Sequence, residues 1–144
     1  MTIQLTTRGH QNQAVPFDAS FTNCHLRICR ADEEAELHVY SAIEIYLIMK
    51  SLIQQFGEAY FPLANNVELL GHHTEQPGLG MTIAQVSVIH NIAHAQGASY
   101  LGPCLEHLGY CEWNGEHHGI MWKIISPDIS DVRLLNDLSA KFAP

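Results

Sequence analysis

Five side chains in the second half of the chain have the types and spacing of metal ligands: His90 and His94, four apart, and Cys104, His107 and Cys111, three and four apart. Residues so spaced share one face of a helix, so each group projects together if its segment is helical, the second only if that helix runs on through Gly109. Imidazole with thiolate suits zinc or another soft transition metal. Cys104 or Cys111 with His107 also has the composition of a thiol nucleophile and its base, but no orienting group or oxyanion donor is marked by spacing. Helix-surface histidines and core thiols account for the same residues without a metal, since an HxxxH spacing arises readily in a chain with 10 histidines. The doublets His72-His73 and His117-His118 alternate faces if extended, so each offers at most one ligand to an ion. PGLGMT, before a helix, suggests phosphate binding, yet it lacks the Lys and the glycine count of a P-loop, and a helix cap explains it better. No catalytic set emerges, and a non-enzymatic protein is expected.

Charge narrows the partners. The net charge is −8 with neutral histidines, and Arg8, Arg27, Arg30, Lys50, Lys123, Arg133 and Lys141 are the whole basic complement. Residues 51–122 therefore carry no Lys or Arg, while seven histidines fall there, so the charge of this stretch depends on pH below about 6.5. Strong nucleic-acid binding is disfavoured, because Lys and Arg supply the phosphate contacts. The length of 144 residues and 47% apolar content predict a single domain, residues 1–144, with a real core. No apolar run approaches the roughly 18 residues of a membrane span, and the first residues lack a signal-peptide pattern, so a cytoplasmic location without a membrane partner is expected. Cys24, Cys29, Cys104 and Cys111 contain no CxxC pair, which speaks against a zinc ribbon or a disulfide scaffold. Free thiols are expected, and the odd spacing of Cys24 and Cys29 in a strand separates them onto opposite faces.

The elements that must position these residues read as follows. Residues 2–7 form a weak strand, 9–20 a polar loop and 21–30 a strand. Residues 31–56 give the strongest helical signal, with Asp32 as cap, Glu33, Glu34 and Glu36 against the dipole and Gly57 as stop. Its apolar surface extends through Ile43, Tyr46 and Leu47, which predicts a central helix buried in part by a dimer interface. Residues 67–70 form a short strand, and Thr82 with Gln85 has capping-box spacing for a helix to about residue 95, stopped by Gly97. A short helix follows over 99–108, with Pro103 required in its first turn. Asn114-Gly115 then predicts a type I′ hairpin between strands 110–113 and 116–125, with Ile120, Trp122 and Ile124 on one face. Ser126 or Ser130 caps a terminal helix bearing Val132, Leu134, Leu135, Leu138 and Phe142, a stripe suited to packing or dimerisation.

Helix, turn, short helix and hairpin over residues 82–125 resemble the winged helix-turn-helix family, with YLGPCLEHLGYCEW and GIMWKI similar to its recognition helix and wing. The resemblance is carried by packing residues: Ile92, Ala93, Gly97, Leu101, Leu105, Leu108, Gly109, Tyr110, Trp113, Ile120 and Trp122. It implies an interaction surface around Ser99, Tyr100, Glu106 and His107, with Lys123 the one basic residue of the wing. DNA binding is what such a surface commonly does, but Glu106, Glu112 and Glu116 would repel phosphate. The expectation is an α+β protein with an N-terminal β segment, a long central helix, a winged-helix-like unit and a C-terminal helix, acting as a binding or regulatory module. Its expected partner is another protein or a second copy, with no cofactor. A DNA-binding regulator and a zinc or other metal protein using the His/Cys cluster are the alternatives.

Overall fold

The computed structural model describes residues 2–9, 14–31, 35–64, 76–87 and 92–142. Among these the chain is mixed α+β, with two antiparallel sheets and five helices. Strands β1 (Ile3–Thr6), β2 (Pro16–Thr22), β3 (His25–Arg30) and β4 (Glu36–Ser41) form the first sheet in sequence order. Alternation sets its buried face, with Phe17, Ala19 and Phe21 of β2 and Leu26 and Ile28 of β3 turned inward.

The expected single strand over 21–30 is broken by a tight hairpin. Thr22 pairs with His25, and the two residues between them, Asn23 and Cys24, have φ of 52° and 62°. Positive φ at both central positions is the type I′ arrangement, which suits the strand twist. No glycine marks this turn, and cysteine rarely takes a left-handed backbone, so the pattern reads as one continuous strand. The expected loop over 9–20 likewise gives way to β2 from Pro16 onward.

The expected helix over 31–56 is also corrected. Its N-terminal part contains β4, in which Tyr40, Val39 and His38 pair with Leu26, Arg27 and Ile28. Helix α1 (Ala42–Phe56) starts only after Ser41, whose hydroxyl accepts the Glu44 N–H at 3.1 Å. Sheet pairing overrides the local acidic signal because Val39 and Tyr40 suit a pleated, half-buried surface. Asp32, the expected cap, and Glu33 and Glu34 lie outside the described residues. Gly57 ends α1 as expected, at φ 57° with its N–H bonded to the Ile53 carbonyl.

A second sheet follows from β5 (Phe61–Pro62), β6 (Cys111–Trp113) and β7 (Met121–Ile124), ordered β5-β7-β6. Between β5 and β6 come α2 (Leu79–Val86), α3 (Ile92–Gln96) and α4 (Ala98–His107). The single helix expected over 82–95 is thus divided: Ser87 turns extended at ψ 144°. Thr82 is no cap but lies inside α2, its hydroxyl donating to the Gly78 carbonyl at 2.7 Å. The strand expected over 67–70 lies outside the described residues. Helix α4 matches its expected span, but Pro103 is its sixth residue, beyond the first turn. The proline has no N–H for the Ser99 carbonyl, and burial of Leu101, Cys104 and Leu105 around it offsets that loss.

The expected two-residue turn at Asn114-Gly115 does not form. Trp113 pairs with Trp122, so a longer loop spans 114–120, with Gly115 at φ 81° and Gly119 at φ 66°. Asn114 closes it with its side chain: Oδ1 accepts the N–H groups of Glu116 and Met121, and Nδ2 donates to the Gly119 carbonyl. Gly115 keeps the left-handed backbone that the dipeptide suggests, whereas Asn114 closes the loop through its side chain instead.

Helix α5 (Asp131–Lys141) is capped by Ser130, whose hydroxyl accepts the Arg133 N–H at 3.0 Å. Its stripe divides: Leu134, Leu138 and Phe142 are buried, whereas Val132 and Leu135 are exposed. One core cluster joins the first sheet, α1, α2, α4, β7 and α5. Leu101, Leu105, Leu108 and Trp122 belong to it as expected, with Trp113 and Ile120 at its margin. No helix of the described residues is long and apolar enough to cross a membrane.

Candidate functional site

Helix α4 is central, and no residue along it is exposed. The residues expected to form an interaction surface there are engaged within the chain. The Tyr100 ring meets Phe17 edge-on at 5.1 Å and lies 5.3 Å from His38. His107 packs on Phe142 at 5.1 Å, and the Ser99 hydroxyl donates to the Gln96 carbonyl at 3.4 Å. Glu106 accepts two hydrogen bonds from the Arg8 guanidinium and one from the Trp122 indole. Lys123 pairs with Glu112 at 3.4 Å and lies over the Tyr60 ring. The first sheet thus covers the side of α4 that the sequence left open. Its packing against β7 is equally close, since a Cβ on Gly102 would fall 2.3 Å from the Trp122 ring.

The proposed metal ligands are not gathered as a shared helical face would gather them. Helix α4 ends at His107, Gly109 takes φ 83°, and Cys111 belongs to β6. A helix running through Gly109 was the condition for aligning Cys104, His107 and Cys111, and the left-handed glycine ends it. Burial first, then the Glu106 charge, pushes the Cys104 thiol far up and the Cys111 thiol to about 12. Each would have to lose that proton to ligate a metal. His90 lies outside the described residues, and among the described residues no three His, Cys, Asp or Glu side chains are grouped to hold an ion.

His94 has another role, which spacing did not suggest. Its Nε2 lies 2.9 Å from Glu44 Oε2, both side chains buried, with Glu44 in the first turn of α1 and His94 in α3. The Tyr40 hydroxyl donates to the His94 carbonyl at 2.7 Å, and the two rings lie 4.7 Å apart. His38 flanks them, its pKa lowered by burial first and then by the His94 charge. Gly97 is required here, because a Cβ would fall 1.9 Å from the Tyr40 hydroxyl oxygen. Sequence periodicity does not reveal this polar cluster, because it places His38 and Tyr40 in a helix when both lie in β4. A Glu within the apolar pattern of α1 was the one available signal.

Beside this cluster the surface opens into two adjoining apolar hollows that share His25, Ser41 and Ile43. The larger, about 440 Å³, lies between the β2–β3 turn, the start of α1 and the start of α5, and is lined also by Cys24, Val132 and Leu135. The smaller, about 300 Å³, runs between β4, α1 and the end of α2, with Glu44 and Ser87 among its walls. Around them Ile43, Leu47, Val132 and Leu135 are 60%, 45%, 64% and 38% exposed. Such a concentration of large aliphatic groups suits binding.

Comparison of the chain with protein-family models, curated proteins and solved structures finds no match.

Proposed function

We propose that this chain is a non-enzymatic binding module that pairs with a second copy of itself through the aliphatic face shared by α1 and α5, on a winged-helix-like scaffold. The observation that carries this reading is the exposure of Ile43 and Leu47 beside Val132 and Leu135, around hollows with little polar lining. A two-fold contact lays such a face on itself, and among the described residues Asp131 is the only carboxylate lining the larger hollow, so pairing brings few like charges together in a chain of net charge −8. The scaffold reading is supported by α2 to α4 followed by the β6–β7 pair, with β5 on the other edge of β7.

The nucleic-acid alternative has weaker support. Arg8, Arg27, Lys123 and Arg133 are each ion-paired, to Glu106, Glu36, Glu112 and Asp137. A phosphate would have to displace these partners, which lowers the gain from each contact.

Sedimentation equilibrium across the micromolar range tests the reading with the wild type, Ile43→Asp and Val132→Asp. The wild type is expected to be a dimer and both variants monomers with unchanged far-UV circular dichroism. A monomeric wild type, or dimers in both variants, overturns it. Nanomolar binding of mixed duplex DNA at low salt would favour the DNA-reader alternative.

A further inference from the structure

We propose that the smaller hollow, between β4, α1 and the end of α2, is a binding site for a small organic amine, its ammonium head held by Glu44 and Ser87 and its apolar body by Val39, Leu47 and Val86. Two independent features of the walls point to a ligand. The first is Ser87: the residue is 2% exposed, and among the described residues its hydroxyl has no hydrogen-bond partner. Buried hydroxyls nearly always have a partner, and an unpartnered one on a residue that lines a hollow is suited to a ligand for which the side chain turns inward. Ser87 ends α2, and its backbone N–H already serves the Ile83 carbonyl, so the hydroxyl is not needed by the helix.

The second feature is Glu44. Its Oε2 is taken by His94, and among the described residues no hydrogen bond engages Oε1. Sequence separation hides this arrangement, since Glu44 and His94 come from different helices and Ser87 from a third.

The chemistry of the walls selects the ligand. Among the described residues no Lys or Arg lines the hollow, and its charged group is a carboxylate, so an anionic head would meet repulsion with no compensating cation. A protonated amine supplies what both oxygens lack, donating one N–H to Glu44 Oε1 and another to Ser87 Oγ. His94, on the far carboxylate oxygen, acts as a positioning residue. The volume of about 300 Å³ is at the small end for ligand pockets and fits a short alkyl chain or a single ring.

Isothermal titration calorimetry of the full chain with hexylamine and benzylamine tests the site, with hexanol and hexanoate as counter-probes. Both amines are expected to bind saturably and more tightly than either counter-probe. Ser87→Ala is expected to weaken amine binding about tenfold, and Glu44→Gln at least as much. Val132→Asp, which alters only the neighbouring hollow, is expected to retain saturable amine binding where it abolishes self-pairing, because the monomer keeps Glu44 and Ser87, and this keeps the proposal separable from that of the dimer. If Glu44→Gln fails to fold, Ser87→Ala, which removes one unpaired hydroxyl, decides alone. The proposal falls if neither amine binds, if hexanol or hexanoate binds as tightly, if Ser87→Ala changes nothing, or if Val132→Asp abolishes binding.

Discussion

Glu106 joins the N-terminal segment to the core, and its two roles can be separated by substitution. It accepts from Arg8 Nε at 3.1 Å and Nη2 at 2.8 Å, and from Trp122 Nε1 at 3.1 Å. The Arg8 side chain is 35% exposed against 16% for Glu106, so solvent screens the ion pair, which is worth about 0–1 kcal/mol. Trp122 is 1% exposed, and leaving its indole N–H without an acceptor costs about 1–3 kcal/mol. Glu106→Gln keeps an oxygen for Trp122 and loses only the charge, for an expected cost of about 1 kcal/mol or less. Glu106→Ala loses both, for about 1–4 kcal/mol. Urea unfolding followed by tryptophan fluorescence measures the two. Molar salt should erase the cost of Glu106→Gln and leave the gap between Gln and Ala unchanged, because only the ion pair is screened. If Gln is as damaging as Ala, or if salt closes the gap between them, the indole is not the dominant partner and the reasoning fails.

Gly102→Ala would stabilise an exposed helix, but here the new methyl meets the Trp122 ring, so a loss of about 1–3 kcal/mol is expected in the same urea assay. Brief iodoacetamide treatment of the native chain at neutral pH should modify the exposed Cys24 first, as read by peptide mass spectrometry. Cys29 should follow, its thiol raised by burial first and then by Glu36 and Asp18, while Cys104 and Cys111 stay unmodified until unfolding. His38 is lowered from its ordinary value of 6.5, so the unfolded chain binds the proton more readily. Its contribution is complete above 6.5 and is lost as pH falls from 6.5 through the lowered folded value. Thermal melts across that window should show a stability decline that His38→Gln flattens.

Where local rules suffice, the sequence was legible. The Ser130 cap and alternate burial of Leu134, Leu138 and Phe142 define α5, Gly57 ends α1, and the apolar spacing of Leu101, Leu105 and Leu108 marks α4. These signals act within a turn or two of backbone. The strand character of Glu36–Ser41 was hidden because it depends on pairing with β3, and the turn at Asn23 and Cys24 because side-chain type does not demand it. The break at Ser87 and the side-chain closure by Asn114 were hidden for the same reason. At the candidate site, the aliphatic surplus of α1 was readable, as was the presence of His94, but its partner was not. Glu44 is 50 positions from His94, and Arg8 is 98 from Glu106. Periodicity along one segment carries no record of such distant neighbours. Only the tertiary packing of the first sheet on α4, and of α1 beside α5, decides which polar groups are enclosed and which aliphatic ones remain exposed, because burial is a property of surfaces brought together from separate parts of the chain.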